Sequence, residues 1–143
     1  VTPLEIEIAK PGQTDGFWKA HDRDARSELW TFRVIWHEQT HDLLARAESG
    51  EIVAALRLRI AASLGHVDAL YVMPAHRRCG AGRLLLARAE DVSNYYNCHK
   101  MTVPVLHGGE AQKFFLACGY VVEAVIPQHT FKLDVALLRK FLL

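Results

Sequence analysis

Hydrophobic and polar positions alternate through much of this chain with the two-residue period of strands, interrupted by stretches of helical period. Leu4, Ile6 and Ile8 alternate with Glu5 and Glu7, which predicts a half-buried strand over Leu4–Ala9, closed by Lys10-Pro11-Gly12. From Gln13 to about Gln39 the pattern is ambiguous. Phe17, Ala20, Leu29, Phe32 and Trp36 suit helices, while Trp30, Phe32, Val34 and Trp36 alternate as a strand would, and two short helices are expected. His41–Glu48 and Glu51–Ile60 are apolar strands around Ser49-Gly50, a hairpin signal. Gly65 begins a further strand, whose apolar part Val67–Met73 stops at Pro74, a residue with no N–H for a sheet ladder.

An amphipathic helix follows over Gly80–Asn94, then a β-rich run Lys100–Leu106 and a Gly108-Gly109 break. Glu110–Cys118 predicts a short helix with Ala111, Phe114 and Phe115 on one side, and Gly119 stands where a C′ glycine belongs. Tyr120–Ile126 and Asp134–Leu142 are expected as strands joined across Pro127-Gln128. This order predicts one α/β domain over residues 1–143, a mixed sheet with helices on both faces.

The stretch from Val72 to Gly82, Val-Met-Pro-Ala-His-Arg-Arg-Cys-Gly-Ala-Gly, carries the most chemical information. Gly80 and Gly82 let backbone approach a bulky ligand, and the helix beginning beside them directs unpaired N–H groups and a positive dipole end outward. Arg77 and Arg78 add formal charge, which makes the loop a site for pyrophosphate or a similar anion. No Gly-Lys-Ser/Thr follows, so it is not a triphosphate loop. The three-glycine dinucleotide fingerprint is also missing.

The order Val-x-Pro-x-x-Arg-x-x-Gly-x-Gly resembles the coenzyme A loop of the GCN5-related N-acetyltransferases. Arg77, Gly80 and Gly82 fill its defining positions, with Val72 and Pro74 leading in. A second signature of that family, Asn-x-x-Ala-x-x-Phe-Tyr-x-x-x-Gly-Phe, is similar to Gly108–Tyr120, where Ala111, Phe114, Gly119 and Tyr120 match in identity or kind. The resemblance covers nearly the whole chain. It implies the acyl-CoA N-acyltransferase fold, an α+β arrangement with a mixed, mostly antiparallel sheet of about seven strands. It also implies acetyl-CoA as co-substrate, with Tyr71, Val72, Arg77, Arg78, Cys79, Gly80, Ala81, Gly82 and Phe115 contacting it. Two positions depart from the pattern. Gly108 stands for an asparagine that touches the coenzyme, and Phe115 for a tyrosine that protonates the leaving thiolate, so slower turnover than in tyrosine-bearing relatives is expected.

Direct acetyl transfer to an amine needs a base for the amine proton, a polarised thioester carbonyl and a departing thiolate. Backbone N–H groups around Tyr71–Met73 can polarise the carbonyl while the pantetheine arm pairs along the strand. Asp68 is the first candidate base, on the strand that feeds the loop and, by alternation, on the face of Leu70 and Val72. The alternative is a carboxylate that merely faces solvent. His107 is the rival, and His66, His37 and His129 are weaker. The resemblance places the acceptor among Trp18, Asp22, Asp24, Glu28, Trp30 and Trp36, then His129 and Phe131. Acids beside aromatics suit a cationic small-molecule or protein amine, although a solvated charged face is the simpler account of His21–Glu28. The function expected is N-acetyl transfer. The alternatives are use of a longer acyl-CoA and a catalytically weak coenzyme A-binding regulatory module.

Composition narrows this little further. Half of the 143 residues are apolar, enough for a core, and the net charge of +1 gives no reason to expect nucleic acid. Cys79, Cys98 and Cys118 are expected as free thiols, and His76-x-x-Cys79 lacks a second pair, so no metal is expected. No apolar run reaches membrane-spanning length and no signal-peptide pattern opens the sequence, so the cytoplasm is the expected location. The apolar last strand and the tryptophan-rich early region leave room for a homodimer.

Overall fold

The computed structural model describes residues 3–34 and 36–142. The chain divides between Trp36 and His37 into two compact units. The first contains one continuous helix, α1 (Asp15–Trp30), where two short ones are expected. Thr31, in the left-handed conformation at φ 60°, ends it. The Ser27 hydroxyl then accepts the Val34 N–H at 3.0 Å, and the Arg26 guanidinium lies over Trp36. Leu4–Ala9 forms no strand. Its alternation is real, but Leu4, Ile6 and Ile8 are about nine-tenths exposed, and among the described residues none pairs with the segment as a strand. The sheet accordingly has six strands rather than about seven.

The second unit holds the sheet: β1 (Gln39–Arg46), β2 (Ile52–Ala61), β3 (Leu64–Val72), β4 (Lys100–Leu106), β5 (Val121–Thr130) and β6 (Leu133–Phe141), in spatial order β1-β2-β3-β4-β6-β5. All neighbours are antiparallel except β3 and β4. α2 (Ala81–Tyr95) makes the crossover between those two, and α3 (Glu110–Ala117) joins β4 to β5. The β2–β3 and β5–β6 hairpins close through Ala62-Ser63 and Phe131-Lys132. Both residues of each pair have positive φ, the twist a two-residue hairpin turn requires. Pro127-Gln128 is therefore not the turn. β5 is an edge strand, so it passes the proline as an irregularity in the ladder, and Asp134 Oδ1 accepts the Gln128 N–H at 3.0 Å.

Both helices of this unit pack into one apolar cluster. Leu56 and Leu58 of β2, Met101 and Val103 of β4, and Ala136 and Leu138 of β6 meet Leu85, Leu86 and Ala89 of α2 and Phe115 of α3. At Gly65 a Cβ would come within 2.5 Å of Ser93 Oγ and 2.7 Å of Met101 Sδ. The missing side chain is what lets α2 lie close over the start of β3. Opposite faces of these strands differ in kind: Arg59, His66, Lys100, Thr102 and Arg139 project away from that core, as register and alternation require.

A forked strand pair beside an anion loop

β3 and β4 pair over three residues only, Leu64–His66 with Lys100–Thr102. Past that point the two strands part, although β4 continues to pair β6 along its whole length. The other side of β3 stays in register with β2, except for a bulge between Arg57 and Leu58 that leaves Asp68 without an opposite residue. The fork and the bulge thus fall at the same level of the sheet. Met73 N–H bonds Val53 O at 2.9 Å, so by alternation the N–H groups of Leu70 and Val72 face the open side of the fork.

The loop at the fork's mouth is shaped by its own backbone. Pro74–His76 forms one 3-10 turn, with Arg77 N–H bonded to Pro74 O. The Arg77 side chain folds back, donating from Nε to Val72 O at 2.8 Å and stacking over the Tyr71 ring. Arg78 and Gly80 both have positive φ, 62° and 85°, and Gly80 is the N-cap of α2 with no side-chain cap. The first N–H groups of α2 therefore have no side-chain cap, and the space beside Gly80 is open, since a Cβ there would meet nothing within 4 Å. Gly82 has a different reason to be glycine. A Cβ there would stand 3.3 Å from the Phe114 ring and 3.7 Å from Val72, so it serves the close packing of α2 on α3 and β3. Cys79 is exposed, Cys98 buried and Cys118 half-buried, and all three are free.

Phe115 is only 4% exposed and packs against Phe114 and Tyr120 in the core. The ring that reaches the loop glycine is its neighbour Phe114. Tyr120, buried behind Phe115, donates to Glu90 at 2.8 Å, and Glu90 also binds Lys140 at 3.0 Å. Burial, then the Glu90 carboxylate, pushes the Tyr120 hydroxyl far above its usual range, so it stays protonated.

The bulge moves Asp68 off the face of Leu70 and Val72, where unbroken alternation would put it. Asp68 instead takes a two-pronged bond from Arg59, 2.9 Å from Nε and 3.3 Å from a terminal nitrogen, and Arg59 also reaches Glu38 at 3.8 Å. Asp68, Arg59, His66, Lys100, Thr102 and Pro104 line a cavity of about 430 Å³ at the base of the fork. Burial, followed by the Arg59 charge, pushes the His66 imidazole below its ordinary value. A second, apolar cavity of about 310 Å³ begins at Pro104 and continues along Leu106, Leu133 and Val135 to Phe131. His107 lies beyond the end of β4, with its N–H on Asp134 O. His129 is in β5, its ring bonded to Thr130 Oγ1. Trp18, Asp22, Asp24, Glu28 and Trp30 all lie on α1 of the first unit, where Asp22 pairs with Arg26. Sequence reasoning named His66 only as a weaker base candidate and did not single out Arg59, which the register of β2 with β3 sets opposite His66 and beside Asp68. The alternation of His66 and Asp68 against Gly65 and Val67 was the signal that these two share a face.

Residues 9–120 match the model of the acetyltransferase (GNAT) family, and the chain belongs to that family. No curated protein sequence matches it significantly. Its fold is similar to that of an acetyltransferase from Bacillus cereus (TM-score 0.78, 20% identity, 97% of this chain and 98% of the other). It is also similar to a putative acetyltransferase from Agrobacterium tumefaciens (TM-score 0.69, 16% identity, 99% of each). A putative N-acetyltransferase from Lactobacillus plantarum is 25% identical over 73% of this chain and 70% of the other, with a TM-score of 0.64. Among the described residues no helix is long and apolar enough to cross a membrane.

Proposed function

We propose that this protein transfers the acetyl group of acetyl-CoA directly to a primary amine of a small molecule or a protein. The observation that supports this best is the fork itself: a strand pair that stops after three residues, opening beside a glycine loop and a helix N-terminus with no side-chain cap. The pyrophosphate would lie on the N–H groups from Arg78 to Arg83, including those of Cys79, Gly80, Ala81 and Gly82. Arg77 would add charge and hold Tyr71 and Val72 in place. The pantetheine arm would enter the fork as an added strand, meeting the N–H groups of Leu70 and Val72. The amine would approach over the face that carries Asp68 and Arg59, with the apolar track towards Phe131 receiving its carbon skeleton. The sequence offers Asp68 as a candidate proton acceptor on that face, with His107 as its rival.

Calorimetry with acetyl-CoA, combined with thiol release over an amine panel, tests the reading. Binding and release with at least one amine are expected, and longer acyl donors in the same assay measure acyl selectivity. Arg77→Ala should weaken acetyl-CoA binding by about 1–3 kcal/mol through loss of a charge-assisted contact. Amide exchange at Leu70 and Val72 should slow when acetyl-CoA is added. Binding without thiol release from any amine would support the coenzyme-binding module instead.

A further inference from the structure

We infer that His66 is the catalytic residue that takes the amine proton. The inference rests on the acetyl-transfer reading above and names a group on its acceptor face.

Position comes first. His66 faces Thr102 in the last paired rung of β3 and β4, so it stands where the fork closes. Measured back along β3, a pantetheine arm spans about four to five extended residues, roughly 15 Å. Starting at Val72, where the loop begins, such an arm ends level with Asp68 and Val67, one residue short of His66. His107 lies at the opposite end of β4, five residues beyond Thr102 and therefore roughly 16 Å along the strand. A base there would sit near the loop rather than near the thioester.

Chemistry then separates His66 from Asp68. The Asp68 carboxylate is engaged by two Arg59 nitrogens, so protonating it would strip a guanidinium of its partner. Among the described residues the His66 ring makes no hydrogen bond, and it is half-buried on the wall of the 430 Å³ cavity. The charged groups around it are Arg59 on β2, Asp68 on its own strand, Lys100 on β4 and Glu38 before β1. Lys100 is paired with Glu123, which also meets Arg139 of β6. Burial and Arg59 outweigh Asp68 and Glu38, which keeps the imidazole neutral and able to accept a proton near pH 7.

In the step itself the amine nitrogen bonds to the acetyl carbon and the carbon–sulfur bond breaks. One proton leaves the nitrogen for His66, and coenzyme departs as a thiolate that takes this proton back from the imidazolium, directly or relayed through a water. The products are the amide and free coenzyme A, with His66 neutral again.

The test measures kcat/KM from pH 5.5 to 9 with the best amine of the panel, for the parent, His66→Gln and His66→Ala. Calorimetry with acetyl-CoA on each shows that the fold and coenzyme site persist. His66→Gln should lose about a hundredfold or more, with its ascending acid limb gone and acetyl-CoA affinity within about twofold of the parent. Added imidazole should restore part of the rate to His66→Ala. In the unaltered protein, the His66 titration followed by NMR should coincide with the kinetic limb, a readout that needs no variant. Retention of limb and rate in His66→Gln, or an NMR titration well away from the limb, overturns the assignment while acetyl transfer stands. A parent that binds acetyl-CoA and acetylates nothing overturns the acetyl-transfer reading, and the assignment with it.

Discussion

The two edges of β4 are treated in opposite ways. Towards β6 it pairs residue for residue from Lys100–Phe141 to Leu106–Val135. Towards β3 it pairs for three residues and then stops. The same seven residues thus form a closed wall on one side and an unfilled ladder on the other. Backbone N–H and C=O groups left unpaired inside a sheet demand a partner, and here the demand is directed at one place, beside the anion loop. The closed edge supplies rigidity. The open edge supplies the candidate site.

That difference is sharpest in the core. Leu138 of β6 is fully buried against β4, whereas Leu70, on β3 beyond the fork, is only partly buried at the edge of the same cluster. Leu138→Ala should cost about 2–5 kcal/mol, because its neighbours hold one another and cannot collapse into the cavity. Leu70→Ala should cost less than half of that, since its surroundings are already incomplete. Urea unfolding of the two variants checks the comparison, and equal losses would mean that the open edge is packed as firmly as the closed one.

Phe115 breaks the comparison in a second way. If its ring served the open edge, a hydroxyl added at its tip would reach the fork and speed loss of the thiolate. Its ring is instead enclosed between Phe114 and Tyr120. Phe115→Tyr should therefore lower stability by about 1–3 kcal/mol through an unpaired buried hydroxyl, with turnover no higher than in the parent. Thermal unfolding and single-turnover rates read the two effects separately. A faster variant of unchanged stability would put this ring in the cleft.

Why some of this was legible in the sequence and some was not follows from which interactions are local. Pro74, Gly80 and the amphipathic run to Tyr95 act within one loop and one helix, so strand end, glycine loop and α2 could be placed from residue chemistry. The first hairpin, around Ser49-Gly50, and β4 were legible for the same reason. Leu4–Ala9 failed because alternation states a capacity to form a strand, while forming one needs a partner edge that no local pattern specifies. The β5–β6 turn failed because Pro127 is a turn signal inside most strands but tolerable on an edge. Gly82 was singled out as a place for a ligand to approach, whereas its packing against Phe114 depends on a helix about thirty residues away. The bulge opposite Asp68 mattered most. One unpaired residue sets Asp68 and Leu70, which unbroken alternation would put on one face, on opposite faces of the sheet, and the sequence carries no mark of it.

The smallest expected effect tests the acceptor face most finely. Asp68 and Arg59 are about one-third exposed, so breaking their pair should alter stability by less than about 1 kcal/mol. Their larger influence is on His66, and in opposite directions: Arg59 disfavours the imidazolium and Asp68 favours it. Asp68→Asn removes the favouring charge, so the ascending limb of kcat/KM should move to lower pH while its plateau stays within about tenfold of the parent. Arg59→Gln removes the opposing charge, and its limb should move to higher pH. The same pair appears in stability. A histidine held below its unfolded value binds fewer protons when folded, so stability falls as pH drops from the ordinary histidine range through the folded value. That acid-side loss should be steeper in Asp68→Asn and shallower in Arg59→Gln, because the first lowers the folded value further and the second relaxes it. Limbs that shift oppositely in the two variants place the titrating group between Asp68 and Arg59, on the far side of the fork from the core. Limbs that stay fixed in both would move the proton acceptor to the other end of β4, where His107 stands.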